Sequence, residues 1–273
     1  MLKDITLGQF FPGNSVLHKL DPRIKLIACI AYIVAIFLCK SAVAYGAVIV
    51  ATVLLMLISK LPIKTVLKGI KPIIFIILFT AVLNVFWHSG ETVLWSFWKI
   101  TVYRKGIISA IYMVVRIVCL VIGTSVILTY TTSPIALTDA IERLLSPLRV
   151  IKVPVHEFAM MMTIALRFIP TLIEETDKIM NAQKARGSDF STGSLASRAK
   201  ALVPVLVPLF ISSFRRADEL AVAMECRCYR GGKGRTRMTQ LRLAVRDFLF
   251  ILAIAAFIAA IVVINNFLPF FIV

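Results

Sequence analysis

Long apolar stretches separated by short polar ones make up most of this 273-residue chain. A membrane-spanning helix needs roughly 20 mostly apolar residues, and about 17–25 is the usual range. Five stretches reach or approach that length. Because a backbone in lipid must satisfy its own hydrogen bonds, each is predicted to be a helix. The five predicted spans cover about residues 24–39, 42–59, 72–87, 106–130 and 248–271. A sixth apolar stretch, over residues 155–169, is a further candidate to dip into the bilayer.

The lysines and arginines are distributed unevenly between the two sides of this arrangement. Of the 31 basic residues, 26 fall in the N-terminal segment, in the loop after the second span and in residues 131–246. Because Lys and Arg concentrate in cytoplasmic loops, the N-terminus is predicted to be cytoplasmic and the C-terminus outside. Arg116 lies within the fourth span, where it is either a functional charge that faces the interior of the helix bundle or an arginine that snorkels to the interface or pairs with a backbone carbonyl.

The composition agrees with a membrane protein. Apolar residues make up 59% of the chain and charged residues only 16%, against about half and about a quarter in globular domains. These proportions exclude a disordered chain and argue against a cytosolic enzyme. The net charge of +17 indicates cytoplasmic loops next to anionic lipid, and not a nucleic-acid partner.

The predicted fold class is therefore an all-α polytopic membrane protein with about five transmembrane helices and a cytoplasmic helical module. The module is predicted because about 116 residues separate the fourth and fifth spans, too many for a structureless connection. A short amphipathic helix is predicted over 134–145. The predicted regions are 1–130 with the first four spans, 131–246 with the module, and 247–273 with the last span.

Two long helices are predicted to form most of the module. The first opens at Pro154, and Gly187 suits the left-handed position that ends a helix. Residues 187–197, rich in Ser and Gly, are predicted to be a linker. The second helix begins with the apolar residues 202–214 and ends at Arg227.

The two long helices resemble each other when the first is shifted by 41 residues. Asp177 then meets Asp218, Ala182 meets Ala223, and Arg186 meets Arg227. Each helix ends in an arginine between small residues, which favours a docking element because a guanidinium offers a planar set of donors. The alternative is that each arginine only complements the negative end of its helix. In the same alignment Glu174 and Glu175 oppose Arg215 and Arg216, so the helices could pair there if they cross.

These features resemble the transmembrane T component of energy-coupling factor (ECF) transporters. The segment Gly8–Leu26, with its Leu-Asp-Pro-Arg string, is similar to the opening of that family, and Ala185-Arg186-Gly187 is similar to the first of its two Ala-Arg-Gly motifs. The second motif departs from the pattern, because Cys226 and Cys228 flank Arg227 in place of Ala and Gly. A cysteine at position 228 lacks the backbone freedom of glycine.

The resemblance implies a non-catalytic subunit of an importer in a bacterial plasma membrane, which takes up vitamins or other micronutrients. Its partners would be two homologous ABC ATPases, which bind the ATP, and a membrane-embedded S component that binds the substrate. The arginine motifs would dock on the ATPases, supported by Asp177, Ala182, Asp218 and Ala223. Contact with the S component is expected from the adaptable apolar side chains Met160, Met161, Met162 and Phe210, although core packing or lipid contact is the plainer role for any single methionine.

Sequence signals for chemistry within the chain are weak. The string Gly231-Gly232-Lys233-Gly234 lacks the spacing of a phosphate-binding loop, and Cys226 and Cys228 have no second pair with which to bind a metal. We expect no cofactor, no metal and no nucleic acid. The alternatives are a polytopic membrane enzyme and a stand-alone secondary transporter. Both need polar constellations within the spans, where Arg116 and scattered hydroxyls are found.

Overall fold

The computed structural model describes residues 10–87, 93–97, 100–188, 190, 194–232, 241 and 243–267. Helices dominate this part of the chain, so the predicted all-α polytopic class is confirmed, and the short hairpin β1–β2 is an addition that was not predicted. Up to residue 129 the elements are α1 (Pro22–Leu38), α2 (Ala42–Ser59), α3 (Ile63–Ile70), α4 (Ile74–Trp87), β1 (Val93–Phe97), β2 (Ile100–Tyr103) and α5 (Arg104–Thr124, continued by a π-helical turn at Ser125–Thr129). The last helix is α9 (Val245–Phe267). Between α5 and α9 lie α6 (Pro134–Leu144), a 3₁₀ turn (Ser146–Ile151), α7 (Val155–Ala185) and α8 (Leu195–Cys226).

Contacts divide the chain into two compact units. The membrane unit comprises residues 8–140 and 240–273, and the paired-helix unit contains residues 141–239. The membrane unit holds the five predicted spans, of which residues 268–271 lie outside the described residues. The paired-helix unit holds α7 and α8, and the sixth candidate stretch, residues 155–169, lies in α7. The predicted three-region division of the chain stays a prediction.

In the part of the chain that the structure describes, four helices are long and apolar enough to cross a membrane by length and composition: α2, α5 with its π-helical turn, α7 and α9. The pair α3 and α4, bent by 58° at residues 71–73, raises the number to five if it forms one broken span. Pro72 lies in this break, where its missing N–H does not interrupt a helix. Helix α1 has 17 residues, the lower end of the spanning range of about 17–25 residues.

The Leu-Asp-Pro-Arg string begins α1 and ties it to α9. Asp21 caps the helix by accepting the Arg23 N–H at 2.9 Å, and Pro22 occupies the first helical position, which both residue types favour. The buried carboxylate of Asp247 accepts the N–H of Asp21 with Oδ1 and the N–H of Ala244 with Oδ2, each at 2.8 Å. One carboxylate therefore fixes the starts of two helices that lie far apart in sequence.

A second buried charge, Lys25, lies near the start of α1. Lys25 is 1% exposed, and its Nζ donates to the carbonyl of Thr131 at 2.8 Å and to Thr132 Oγ1 at 3.3 Å. A buried ammonium needs such partners, because an unpaired one is expensive to desolvate. These bonds attach the residues that follow the π-helical turn to α1.

The core of the membrane unit centres on Tyr32. Its hydroxyl is hydrogen-bonded to Thr52 at 2.7 Å and donates to the carbonyl of Cys119 at 3.1 Å, so α1, α2 and α5 meet at one buried side chain. Gly123 lies against the ring, and a Cβ there would come within 2.2 Å of it. Close approach of α5 to α1 therefore requires glycine at this position.

Arg116, the charge predicted within a span, meets aromatic side chains. Its Nε donates to the hydroxyl of Tyr45 at 2.8 Å, and its Cζ lies 5.6 Å from the ring centroid of Tyr45 and 6.0 Å from that of Phe37. Tyr45 also stacks on Tyr112. Within the described residues the partner of Arg116 is therefore a tyrosine hydroxyl and not a backbone carbonyl, and both interpretations of this charge stay predictions.

Candidate functional site

The two long helices of the paired-helix unit are antiparallel. Near the middle, Glu175 of α7 forms an ion pair with Arg216 of α8 at 2.6 Å and accepts a hydrogen bond from Ser212. Towards the end of α7, Gln183 Nε2 donates to the carbonyl of Pro204 near the start of α8 at 3.3 Å. The predicted pairing of the acidic and basic segments is therefore confirmed for Glu175 and Arg216.

Antiparallel packing separates the two predicted motifs. Arg186 follows the end of α7, which lies beside the start of α8, and Arg227 follows the end of α8, which lies beside the start of α7. Helix α7 has 31 residues and is about 45 Å long at 1.5 Å per residue. The arginines therefore lie at opposite ends of one elongated helix pair.

Helix α8 begins earlier than predicted. The apolar run suggested a start near residue 202, with a linker over 187–197, but the helix starts at Leu195. Residues 195–203 contain Leu, Ala, Arg and Lys, which are good helix formers. Pro204 and Pro208 fall inside the helix instead of in its first turn.

Both helix ends close with the same backbone motif. After α7, the N–H of Gly187 donates to Lys184 O and that of Ser188 to Gln183 O, each at 3.0 Å. The equivalent bonds after α8 are Cys228 N–H to Glu225 O at 2.9 Å and Tyr229 N–H to Met224 O at 3.0 Å. This is the Schellman closure of a helix. Its repetition 41 residues later supports the pseudo-repeat found in the sequence.

The residue in the left-handed position differs between the two ends. Gly187 has φ of +88° and Cys228 has φ of +54°, a region in which a residue with a Cβ is strained by about 1–2 kcal/mol. The second end therefore adopts, with a cysteine, the backbone that glycine adopts at the first.

Both arginine side chains are exposed. Within the described ranges, neither guanidinium forms a hydrogen bond or an ion pair. The flanking residues that the sequence singled out are exposed as well: Ala185, Gly187, Cys226 and Cys228. Of the four supporting residues, Ala182, Asp218 and Ala223 are exposed and Asp177 is half-buried.

The surroundings of the two ends are different. No atom of the described residues lies within 4 Å of a Cβ built on Gly187. The second end borders a cavity of about 510 Å³ between the end of α8 and the start of α7. Apolar side chains from both helices contribute to its lining: Met160, Ile164, Leu220 and Met224. Residues at and beyond the end of α8 complete it, among them Arg227, Cys228 and Arg230.

The segment after Arg227 folds back onto the start of α7. A Cβ on Gly232 would come within 2.5 Å of the His156 ring, and the His156 Nδ1 lies 3.0 Å from a carboxylate oxygen of Glu142. Glu142 lies on α6, 14 residues before His156 in the sequence. The contact positions the chain that leaves the second arginine end.

A stripe of exposed apolar side chains runs along α8. Val205 is buried, and Ser212 and Arg216 face α7, whereas four residues on the opposite side of the helix are each more than half exposed: Val203, Val207, Phe210 and Phe214. The predicted contact residue Phe210 belongs to this stripe. Of the predicted methionines, Met161 and Met162 are exposed and Met160 lines the cavity.

The electrostatics of the helix crossing are set by hydrogen bonds. Hydrogen bonds from the hydroxyl of Ser212, and then from the guanidinium of Arg216, stabilise the ionised carboxylate of Glu175 and hold its pKa below the usual value.

Among the described residues no group of three His, Cys, Asp or Glu side chains comes together that could hold a metal ion. The expectation that the chain holds no metal or cofactor stays a prediction.

The fold and these helix ends define a polytopic helical membrane protein that carries an elongated helix pair with an exposed arginine at each end. The family model described as CbiQ, Cobalt transport protein, matches residues 13–238. The chain belongs to this family, and the predicted membership among the T components of ECF transporters is confirmed.

Relatives of nearly the same length support this assignment. The energy-coupling factor transporter transmembrane protein EcfT of Clostridium kluyveri is 58% identical over 250 residues, which cover 91% of this chain and 92% of the relative. The protein of the same name from Ruminiclostridium cellulolyticum is 56% identical over 249 residues, with the same coverage of 91% and 92%. That from Lactococcus lactis subsp. cremoris is 46% identical over 253 residues, which cover 93% of this chain and 95% of the relative.

Proposed function

We propose that this chain transmits the ATP-driven motion of two homologous ABC ATPases to an S component that binds the substrate in the membrane. The observation that carries the proposal is the pair of equivalent, exposed arginines at opposite ends of one antiparallel helix pair. A single rigid element with two similar ends suits two similar partners placed side by side. Movement of either partner then displaces the whole pair.

Each arginine end is proposed as an ATPase-docking motif, made of Ala185-Arg186-Gly187 at one end and Cys226-Arg227-Cys228 at the other. A guanidinium keeps its charge and offers a rigid fork of donors, which suits a groove that contains carboxylates. The alternative is that each arginine only complements the negative end of its helix, which needs no hydrogen bond. Within the described residues neither arginine side chain is bound to the last carbonyl groups, so both guanidinium groups are available to a partner.

The stripe on α8 is proposed as the contact surface for the S component, together with Met161 and Met162. These side chains are exposed although they are large and apolar, and contiguous exposed apolar surface marks a binding surface in many proteins. Methionine adapts its shape to different neighbours. A surface of this kind suits an exchangeable membrane partner.

The chain is proposed to be non-catalytic, with ATP bound by the partner subunits and with no cofactor of its own. Its proposed location is a bacterial plasma membrane, with the N-terminus cytoplasmic and the C-terminus outside, because this orientation places most Lys and Arg on the cytoplasmic side. The paired-helix unit is then cytoplasmic, where ATPases are available. The transported substrate is proposed to be a vitamin or another micronutrient.

The proposal is tested by reversing both docking charges. The double variant Arg186→Glu/Arg227→Glu should lose capture of both ATPases in mild detergent and lose uptake in cells, while its amount in the membrane is unchanged. Arg215→Glu is the matched control, because Arg215 is an exposed arginine of α8 that lies away from the ends. Normal capture and uptake by the double variant would refute the docking role.

A further inference from the structure

Helix α3 is held on the membrane unit by one of its sides. Val66 and Ile70 are buried, with 2% and 8% of their surface exposed, and Val66 packs in a cluster with Tyr130. The hydroxyl of Tyr130 donates to the carbonyl of Thr65 at 3.4 Å, and a Cβ built on Gly69 would lie 2.5 Å from that hydroxyl. These four positions of α3 fall on one half of a helix with 3.6 residues per turn. The other half of α3 is exposed.

Three lysines, here called the lysine face, occupy the exposed half of α3 and its end. Lys64, Lys68 and Lys71 are spaced by four and three residues, and all three are exposed. Lys71 follows the last residue of the helix and keeps a right-handed helical backbone, with φ of −48° and ψ of −46°. Residues at these spacings are neighbours on a helix surface, and like charges there repel one another. The lysine face therefore concentrates positive charge that an anion stabilises.

The described part of the chain supplies no counter-charge to the lysine face. None of its three ammonium groups forms an ion pair or a hydrogen bond there. Among the described carboxylates of the membrane unit, Asp21 and Asp247 are buried and bound at the starts of α1 and α9, and Asp139 forms no ion pair with these lysines. Lys60, which ends α2 four residues before Lys64, is exposed as well. A positive surface without internal partners is complementary to an anionic one.

Large apolar side chains lie next to the lysine face. Ile63 and Leu67 are 61% and 57% exposed, and the helical period places them between the lysines and the buried half of α3. A dissolved anion matches the lysines and leaves these two side chains in water. A membrane surface matches both, because helices that lie in its plane place lysines at the headgroups and aliphatic side chains at the start of the acyl chains. The 58° bend between α3 and α4 allows α3 to lie obliquely to the apolar helix that follows it.

We propose that α3 is a docking surface for anionic phospholipid at the membrane surface. Phosphate groups of the lipid headgroups pair with Lys64, Lys68 and Lys71, and Ile63 and Leu67 contact the adjoining part of the acyl chains. Each lysine near an anionic membrane surface adds to the attraction, so three on one face give a preference for anionic over zwitterionic lipid. This inference goes beyond the proposed function and does not depend on the ATPases or the S component.

The experiment measures which lipids stay with the purified full-length chain. The chain in detergent is mixed with equal amounts of phosphatidylglycerol, which is anionic, and phosphatidylcholine, which is zwitterionic. The lipids that co-elute with the chain on size exclusion are then quantified by mass spectrometry. We expect phosphatidylglycerol to be retained at least about fivefold more than phosphatidylcholine, and added salt to lower this ratio.

Neutral substitutions on the lysine face should remove much of this preference. The triple variant Lys64→Gln/Lys68→Gln/Lys71→Gln should lower the retention ratio at least about threefold. The variant Lys64→Arg/Lys68→Arg/Lys71→Arg should keep the ratio of the parent chain, because arginine retains the charge and also binds phosphate. An unchanged ratio in the glutamine variant would overturn the proposal.

The matched control changes three exposed basic residues at the other end of the membrane unit. Lys40 precedes α2, and Arg104 and Lys105 begin α5, whereas α3 follows the end of α2 and contacts the residue after the π-helical turn of α5. Helix α2 has 18 residues and is about 27 Å long. The variant Lys40→Gln/Arg104→Gln/Lys105→Gln removes the same charge and should keep the ratio within about 1.5-fold of the parent value. Equal losses in the two glutamine variants would show that total charge, and not α3, sets the preference.

Folding of the lysine variant is checked in lipid-free detergent. Its unfolding temperature should be no lower than that of the parent chain, because the changes remove repulsion between neighbouring lysines. If the triple variant unfolds at a lower temperature, the single variants Lys64→Gln, Lys68→Gln and Lys71→Gln decide. Each should lower the retention ratio by a smaller factor, and an unchanged ratio in all three overturns the proposal.

Two further arms identify the lipid as the partner. Ile63→Ser/Leu67→Ser should lower the retention of both lipids at least about twofold and keep their ratio, since these side chains are apolar and uncharged. Inorganic phosphate, added at the concentration of the lipid, should not displace phosphatidylglycerol. Unchanged retention in the serine variant overturns the contact with acyl chains, and displacement by phosphate overturns the assignment to a lipid.

Discussion

Glu175 and Arg216 occupy equivalent positions 41 residues apart in the two long helices, and their side chains form an ion pair with each other at 2.6 Å. In an assembly with two-fold symmetry, a residue on the axis meets its own equivalent. The pair therefore marks the centre of an approximate two-fold relation between α7 and α8. This relation explains why similar arginine ends are found at opposite ends of the pair and not side by side.

Reversal of either charge at this centre should weaken the helix pair. Glu175→Arg and Arg216→Glu each place like charges together, and each should destabilise the chain by about 0.5–1 kcal/mol, the scale of partly exposed ion pairs. The exchanged double variant should recover at least half of this loss, because the pair is restored in the opposite sense. Thermal unfolding in detergent measures the cycle.

The control for this cycle is Arg215→Glu, since Arg215 is exposed beside Arg216. A change at such a surface position is expected to stay within about 0.5 kcal/mol. If the exchanged variant is as unstable as the sum of the two single variants, the pair does not hold the helices together.

The helix ends of the paired-helix unit were predictable because their signals are local. Gly187 marks a left-handed cap in the sequence itself, and a repeated Asp, Ala and Arg at a constant shift indicated that Cys228 would occupy the same place. The facing charges of Glu175 and Arg216 followed from the same alignment. These features depend on residues a few turns apart or on one repeated spacing.

The relative direction of the helices and the bonds between distant segments were not predictable in this way. Nothing local to Arg186 or Arg227 says that they lie at opposite ends of an antiparallel pair. The hydrogen bond from the Asp21 N–H to the Asp247 carboxylate joins residues 226 positions apart. The second bond of this carboxylate, from the Ala244 N–H, is local, and an acidic residue three positions after a helix start is a known signal for it. The early start of α8 was missed because the Ser- and Gly-rich composition was extended over residues with good helix propensity.

Cys228→Gly should stabilise the end of α8. Glycine adopts the φ of +54° observed at this position without the strain of a Cβ, and the gain is expected to be about 0.5–1 kcal/mol. The measurement is the thermal unfolding temperature of the full chain in detergent. The opposite change at the equivalent site, Gly187→Ala, should destabilise by about 1 kcal/mol through backbone strain, because no atom of the described residues lies within 4 Å of the added Cβ to cause a clash.

Cys228→Ser is the control for these cap variants, since it removes the thiol and keeps the Cβ. It should leave the unfolding temperature within the error of the parent chain. A gain in stability from Cys228→Ser equal to that from Cys228→Gly would show that loss of the sulfur, and not relief of backbone strain, is responsible.

Asp247→Asn should loosen the junction of α1 and α9. Each carboxylate oxygen accepts one backbone N–H, and an amide offers only one acceptor atom, so its NH₂ group would face a donor. Leaving a buried N–H without an acceptor costs about 1–3 kcal/mol. We expect a lower unfolding temperature and faster hydrogen exchange at Asp21 and Ala244. Asp218→Asn, at an exposed position of α8, should change neither quantity.

Tyr45→Phe should expose the cost of the charge within α5. The tyrosine hydroxyl accepts hydrogen bonds from two nitrogen atoms of Arg116, and the variant keeps the ring and removes the acceptor. A hydrogen bond to a charged group contributes about 1.5–3 kcal/mol, so the chain should unfold at a lower temperature. Tyr112→Phe is the matched control, because Tyr112 stacks on Tyr45 through its ring. The further change Arg116→Leu should cancel most of the loss, since no charge then needs the acceptor. If Tyr45→Phe is equally destabilising with leucine at position 116, the hydroxyl acts through some contact other than the arginine.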